Sequence, residues 1–192
     1  MLLVTGTEGN QRMRTAAYLS PDRRYRYWLT RIWDDALPMM CVIGLNPSTA
    51  DENADDPTIR KCIGFSTRLG FGGLLMLNVG AYRATNPREW LTAVNRFGPE
   101  NTPQHLLEYI AQNSVCLPPG EIPTKGITLV VAAWGRNAAK YQSAVRALEI
   151  VRAIPGLKCW GRNADRTPRH PLMLPYTTKL ELYELEGKKD GR

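Results

Sequence analysis

Residues 39–47 read MMCVIGLNP, an apolar run that stops abruptly at Asn46 and Pro47. A short apolar run without polar alternation is typical of a central strand that is covered on both faces. Proline cannot donate to a strand ladder, so we expect the strand to end here and a polar loop to begin. This stretch therefore predicts a buried strand with a polar group at its carboxyl end.

Similar apolar runs alternate with helical segments along the rest of the chain. We predict further buried strands at 73–79, 127–134 and 156–160, helices at 56–70, 102–112 and 137–154, and an aromatic, arginine-containing edge strand at 25–33. Strands that alternate with helices form right-handed crossovers and a parallel sheet. The predicted fold is a three-layer α/β/α arrangement with a central, mainly parallel four-stranded sheet and an N-terminal edge strand.

The composition is that of one globular α/β domain spanning residues 1–192. The chain is 43% hydrophobic and 22% charged, which is ordinary for such domains, and flexible segments are expected only at 1–14 and 185–192. No run approaches the roughly 20 apolar residues that a membrane span needs, and residues 1–14 lack a secretory apolar region. We therefore expect a cytoplasmic monomer without a membrane partner.

The excess of basic over acidic residues indicates which class of partner the chain favours. Lys and Arg number 25 against 18 Asp and Glu, a formal charge of +7, which favours polyanions such as DNA or nucleotides. The alternative is that this excess serves solubility alone. Arginines in loops on the predicted strand-end side could contact phosphates or simply be solvated. They are Arg83, Arg88, Arg136, Arg162, Arg166 and Arg169.

Neither the cysteines nor the acidic residues predict a metal or another cofactor. The cysteines are far apart and form no C-x-x-C pair, so a zinc or iron–sulfur site is not indicated. They are Cys41, Cys62, Cys116 and Cys159. The acidic run 51–56 could bind a divalent cation, but acids favour a helix N-terminus and we expect them to cap the following helix.

Three polar side chains at predicted strand ends are candidates for chemistry. Asn46 could orient a water, although an amide is no strong base; alternatively, it only ends the strand in an Asn-Pro turn. Asn78 offers a donor and an acceptor to a flat heterocycle, or else it caps a turn. His170 could donate a hydrogen bond to charge on a leaving group, or it could be an ordinary polar surface residue.

Taken in chain order, four motifs resemble those of the uracil-DNA glycosylase superfamily. Residues 44–48 (GLNPS) resemble its first motif, and 75–79 (LMLNV), with the two arginines that follow, resemble the segments whose asparagine reads the base. Residues 129–135 (LVVAAWG) are similar to a strand that ends in W-G, and 170–174 (HPLML) to the second motif. More closely, the chain resembles an uncharacterised bacterial and phage family, domain-of-unknown-function family 1643.

The superfamily resemblance implies chemistry on a base that is rotated out of DNA into a crevice at the strand ends. Asn46 would hold the attacking water, and His170 would stabilise the departing base as the N-glycosidic bond breaks, without a metal or cofactor. The implied base-binding residues are Asn78, Leu45, Pro47 and Ser48. The implied DNA contacts are Arg83, Arg88, Arg136, Arg169 and, as a wedge in the duplex, Leu174.

Departures from the motifs bear on the substrate. Ser48 replaces a glycine, Leu172 replaces a serine, and Tyr82 stands where the iron–sulfur branch has a cluster cysteine, which argues against a cluster. The first two changes alter the shape of the pocket, so two alternatives stay open. One is a same-fold enzyme that acts on a free or hypermodified nucleotide, and the other is a non-catalytic nucleic-acid-binding module.

Overall fold

The computed structural model describes residues 2–8, 13–115, 126–139 and 142–184, and the strands of these residues form one sheet of eight strands. The strands are β1 (Leu2–Glu8), β2 (Met13–Leu19), β3 (Arg26–Ile32), β4 (Met39–Gly44), β5 (Gly73–Asn78), β6 (Ile127–Ala132), β7 (Lys158–Cys159) and β8 (Glu181–Leu182). The helices are α1 (Pro57–Arg68), α2 (Pro87–Thr92), α3 (Pro103–Val115) and α4 (Gln142–Ala153).

The sheet combines parallel central strands with antiparallel flanks. In the order β1-β2-β3-β5-β4-β6-β7-β8, the pairs β5/β4, β4/β6 and β6/β7 are parallel. The pairs β1/β2, β2/β3, β3/β5 and β7/β8 are antiparallel. The predicted mixed α/β class is confirmed, but the described sheet is not mainly parallel, because its antiparallel pairs outnumber its parallel ones.

The N-terminal part of the chain accounts for most of this difference. The predicted edge strand at 25–33 corresponds to β3, which is internal because it pairs with β2 on one side and β5 on the other. Residues 1–14, expected as a flexible terminus, contain β1 and the beginning of β2. Neither strand has the continuous apolar run that marks β4, so hydrophobic patterning does not reveal them. Residues 185–192 lie outside the described part of the chain.

The two faces of the central strands pack against different helices. Strand side chains alternate between faces, so Met40 and Val42 of β4 pack in one cluster with residues of α1. Cys41 and Ile43 pack in the other cluster with residues of α3 and α4. Each fully buried side chain of this size contributes about 1.5–3 kcal/mol of stability. The side chains on the two faces of β4 therefore belong to different apolar clusters, each of which includes helix residues.

Helix α1 begins where the sequence predicts. Asp56 is its N-cap, and the carboxylate accepts a hydrogen bond from the Ile59 N–H at 2.9 Å. Pro57 follows at the first helical position, where the missing N–H is not needed. After the helix, Gly70 has φ of +82°, the left-handed conformation that glycine adopts readily at a helix end.

The other helices differ in detail from the sequence prediction. In the region of the predicted helix at 137–154, the described residues form a 3₁₀ turn at Arg136–Ala139 and helix α4. The short helix α2 has no counterpart among the predicted elements. Among the described residues, no helix combines the length and apolar character needed to cross a membrane.

Candidate functional site

A pocket of about 240 Å³ lies at the carboxyl ends of the parallel strands. Open α/β sheets bind ligands at this end, and the volume is just below the usual range for small-molecule sites, about 300–1,000 Å³. The wall comes from β3, β4, β5, the loops after β4 and β6, the start of α1 and the segment at 170. Its polar residues include Arg26, Asn46, Ser48, Asp56, Asn137 and His170.

Asn46 is held in one orientation by the backbone around it. Its Nδ2 donates to the carbonyl of Pro47 at 2.9 Å and to that of Ala84 at 2.8 Å. Both amide hydrogens are thereby used, and no described residue donates to Oδ1. Because Asn46 lines the pocket, its Oδ1 is an acceptor in a fixed position for a water or hydroxyl bound there.

His170 reaches the same pocket from a distant part of the sequence. Its segment is held by Gly135, whose N–H donates to the carbonyl of Pro168 at 3.0 Å. The Leu172 N–H donates to Nδ1 of His170 over a long 3.4 Å. The proton of the neutral imidazole is therefore assigned to Nε2, since one ring nitrogen accepts while the other donates. Nε2–H is then the hydrogen-bond donor that this ring can offer to a ligand.

The surroundings of His170 favour its neutral form. Although part of the residue is exposed, burial of the ring lowers the pKa of His170, and the Asp56 carboxylate partly offsets this effect. We expect NMR titration of the imidazole to give a pKa below about 6.5. In Asp56→Asn the pKa should fall further, because asparagine keeps the helix cap and removes the negative charge. A higher pKa in this variant would contradict the assignment.

Asn78 lies against the pocket wall and is completely buried. Neither Oδ1 nor Nδ2 of its side chain has a hydrogen-bond partner among the described residues, which is rare for a buried amide. A Cβ added to Gly44 would lie 3.0 Å from Oδ1 of Asn78 and 2.7 Å from Cε of Met76. Because Gly44 and Met76 line the pocket, the unpaired amide is directly behind its wall.

Of the other residues predicted to bind the base, two line the pocket and one does not. Leu45 and Ser48 line the pocket, whereas Pro47 is buried outside its lining. The carbonyl of Pro47 accepts hydrogen bonds from the Asn46 side chain and the Ala84 N–H. Pro47 therefore fixes the orientation of Asn46 instead of contacting a ligand itself.

The predicted DNA-contacting arginines differ in how free their guanidinium groups are. Arg83 is half-buried and donates to three loop carbonyls, those of Arg23, Ser48 and Thr49, at 2.9–3.3 Å. Its guanidinium therefore ties loops together. The exposed members of the set are Arg88, Arg136 and Arg169.

The apolar wedge expected at Leu174 requires a correction. Leu174 is 3% exposed and packs in the cluster that contains α1, so it does not project from the surface. The 3₁₀ turn at Pro171–Met173 directs the chain back onto the helix. Met173, at 88% exposed, is the most exposed apolar side chain of this turn, and Leu172 is 39% exposed.

Two buried charged residues of the wall are not singled out by the sequence. Arg26 is 1% exposed, whereas the arginines of its segment had favoured an edge strand. Asp56 is 8% exposed and lines the pocket, whereas the sequence predicted only that it caps a helix. The position of Arg26 depends on a β-bulge in β3, where the pairing with β2 shifts, and no sequence pattern marks that bulge. A polar residue at the start of α1 was predictable, but its proximity to His170 was not.

The remaining carboxylates of the acidic run pair with arginines. Asp51 and Glu52 contact Arg23 at 3.2 and 2.9 Å, and Asp55 contacts Arg31 at 2.9 Å. The hydrogen bond from Arg23 lowers the pKa of Glu52 below its ordinary value. Within the described ranges, no group of three His, Cys, Asp or Glu side chains is arranged to hold a metal ion.

Comparison with known proteins assigns a family. A family profile described as protein of unknown function (DUF1643) matches residues 26–172, which include β3 to β7, Asn46, Asn78 and His170. No curated protein and no solved structure matches the chain. Because the match extends over most of its length, the chain belongs to the DUF1643 family.

Proposed function

We propose that this chain is a DNA base-processing enzyme that hydrolyses the N-glycosidic bond of a flipped base. The observation that carries the proposal is that Asn46 and His170, distant in sequence, line one pocket at the ends of parallel strands. The resemblance of both segments to uracil-DNA glycosylase motifs supports it, as does the basic charge of the chain. The helix residues in the clusters on the two faces of β4 suit the three-layer fold that this resemblance implies.

In this proposal the two polar side chains act on opposite parts of the reacting bond. Oδ1 of Asn46 accepts a hydrogen bond from the attacking water and holds it near the anomeric carbon. The bond electrons leave with the base, and Nε2–H of His170 donates to the developing anion. The hydroxyl of the water bonds to the anomeric carbon and its remaining proton passes to the departing base, so the products are an abasic site and a free base. Because neither residue is a strong base at neutral pH, positioning and electrostatic stabilisation must lower the barrier.

Asn78 is the residue that would read the base. Its amide has unused donors and acceptors, and leaving a buried polar group unpaired costs about 1–3 kcal/mol. The terminal methyl of Met76 lies on the same side of Gly44 as Oδ1 of Asn78. Methionine adapts its shape easily, so a shift of this methyl group would give a base access to the amide and satisfy it.

Exposed residues near the pocket would hold the surrounding DNA. Arg136 and Arg169 are exposed and adjoin the wall residues Asn137 and His170 in sequence, where their charges could contact phosphates. In place of Leu174, Met173 would fill the space that the flipped base leaves in the stack. Apolar wedges of this kind offset part of the unstacking cost, which is a few kcal/mol.

The test is strand cleavage by alkali after incubation of the full chain with oligonucleotides. The panel carries uracil, hypoxanthine, mispaired thymine or phage-type modified pyrimidines in single and double strands. We expect alkali-labile breaks at one of these bases, lost in His170→Ala and retained in His105→Ala, the matched change at the only other histidine. No breaks on any member, with DNA binding intact, would overturn catalysis and favour a binding module.

A same-fold enzyme that acts on a free or hypermodified nucleotide is the second candidate. It is favoured by the contacts of Arg83, which is engaged by three loop carbonyls instead of facing solvent. Chromatography of nucleoside monophosphates after incubation separates the two. Release of base from monomers, without breaks in oligonucleotides, would select this alternative.

A further inference from the structure

Arg26 is placed in the pocket by an irregularity of β3. The pairing of β2 with β3 shifts between Tyr18 and Leu19, which leaves Tyr27 as an extra residue on β3. The extra residue interrupts the alternation of side chains, so Tyr27 and Trp28 both pack with the cluster of α3 and α4. Arg26 thus lies on the opposite face, where it lines the pocket and is 1% exposed.

The guanidinium of Arg26 is incompletely satisfied. Nη1 donates to the carbonyl of Ala50 at 2.8 Å, but Nε is buried without a hydrogen-bond partner in the described part of the chain. Arg31, five residues later in the same strand, has an ion pair with Asp55 and donates to three further carbonyls. The two buried arginines therefore differ: Arg31 is fully engaged by the protein, whereas Arg26, which lines the pocket, keeps one buried donor without a partner.

The charge of Arg26 is also poorly compensated. Among the described residues it has no carboxylate at ion-pair distance, and Oδ1 of the nearby Asp56 accepts a hydrogen bond at the start of α1. Burial lowers the pKa of Arg26 to about 10, with a partial offset from Asp56, so the side chain remains a cation at neutral pH. A buried cation without an ion-paired carboxylate is costly, and an anion in the pocket would reduce that cost.

We propose that Arg26 binds an oxyanion of the ligand, a carboxylate or phosphate oxygen that accepts a hydrogen bond from Nε–H. This inference deepens the proposed function and rests on it, because it names the substrate class as a nucleobase or nucleotide that carries such a group. The oxyanion has two possible sources, a substituent on the base or the phosphate of a nucleotide. An uncharged base such as uracil offers Nε–H only neutral carbonyl oxygens, which leave the charge of Arg26 uncompensated, and is expected to bind more weakly.

Isothermal titration calorimetry of the full chain with matched ligands tests this inference without a mutation. The first pair compares 5-carboxyuracil with 5-carboxamidouracil. A comparison of orotate with uracil repeats the test with the carboxylate at a second position of the ring. The second pair is uridine monophosphate against uridine. A charge-assisted hydrogen bond in a buried site predicts that one oxyanion ligand binds about 10- to 100-fold more tightly than its neutral counterpart.

Variants then assign the preference to Arg26. Arg26→Gln should bring the two affinities of the preferred pair to within about 3-fold of each other, whereas Arg152→Gln, the same charge loss at an exposed position of α4, should leave the ratio unchanged. Preference for the carboxylated bases identifies a base substituent as the source, and preference for the monophosphate identifies the nucleotide phosphate. Equal affinities within every pair, or no binding of any of these probes, would overturn the inference.

The outcomes separate this inference from the proposed function. Arg26-dependent binding without any release of base would support the oxyanion site and contradict the glycosidic chemistry. Undiminished excision of an uncharged base by Arg26→Gln would support the chemistry and contradict the oxyanion site.

Discussion

Replacing Asn46 with alanine should lower the rate of base release by about 1,000-fold, because the reacting water loses the acceptor that positions it. The two bonds from Nδ2 fix the side chain, so Oδ1 occupies one place in the wall. Alanine leaves the water free to adopt unproductive positions. Single-turnover kinetics on the substrate found in the alkali assay measures this effect on the chemical step.

The same substitution removes two hydrogen bonds, one within the loop after β4 and one that joins this loop to the loop after β5. Their loss costs about 1–3 kcal/mol of stability, so a control of similar cost is required. Ser66→Ala provides one, because the Ser66 hydroxyl is buried and donates to the Gly73 carbonyl at 3.0 Å, at the opposite end of β5. We expect Ser66→Ala to retain its rate. Comparable rate losses in both variants would show that Asn46 acts only through the fold.

The central strands were predictable because their apolar runs are continuous. β4, β5 and β6 are found within the ranges expected from sequence, and the proline at the start of α1 marks that helix correctly. The antiparallel flank was not predictable, since β1 and β2 mix polar and apolar residues without a long apolar run. β3 was assigned to an edge because arginine usually avoids a sheet interior, whereas Arg26 and Arg31 bond to the loop at 50–55.

The residues of the site that lie at strand ends were predictable from the sequence. Asn46 and His170 each follow a recognisable boundary, and parallel strands bring such boundaries to one edge of the sheet. Arg26 could not be found in this way, because its direction depends on the bulge at Tyr27. Leu174 was misplaced for a similar reason, since one turn of 3₁₀ helix decides which of three neighbouring apolar side chains is buried.

Replacing Arg31 with methionine should destabilise the fold by about 3 kcal/mol or more, the cost of breaking a buried ion pair by removing one partner. The Arg31 side chain is 2% exposed and that of Asp55 is 11% exposed. Methionine fills part of the space but cannot donate to Asp55 or to the carbonyls of Thr30 and Asp51. Urea unfolding monitored by tryptophan fluorescence measures the free energy of unfolding.

Three further variants, an exposed control and Asp55→Asn both alone and combined with Arg31→Met, show whether the lost pair causes this destabilisation. Arg152→Met, at an exposed position of α4, should change stability by less than about 0.5 kcal/mol. Adding Asp55→Asn to Arg31→Met should recover part of the loss, because it removes the negative charge that the arginine balanced, and a coupling of at least about 0.5 kcal/mol is expected for residues in contact. Strictly additive effects would mean that Arg31 stabilises the loop through its carbonyl contacts alone, and that the ion pair contributes nothing measurable.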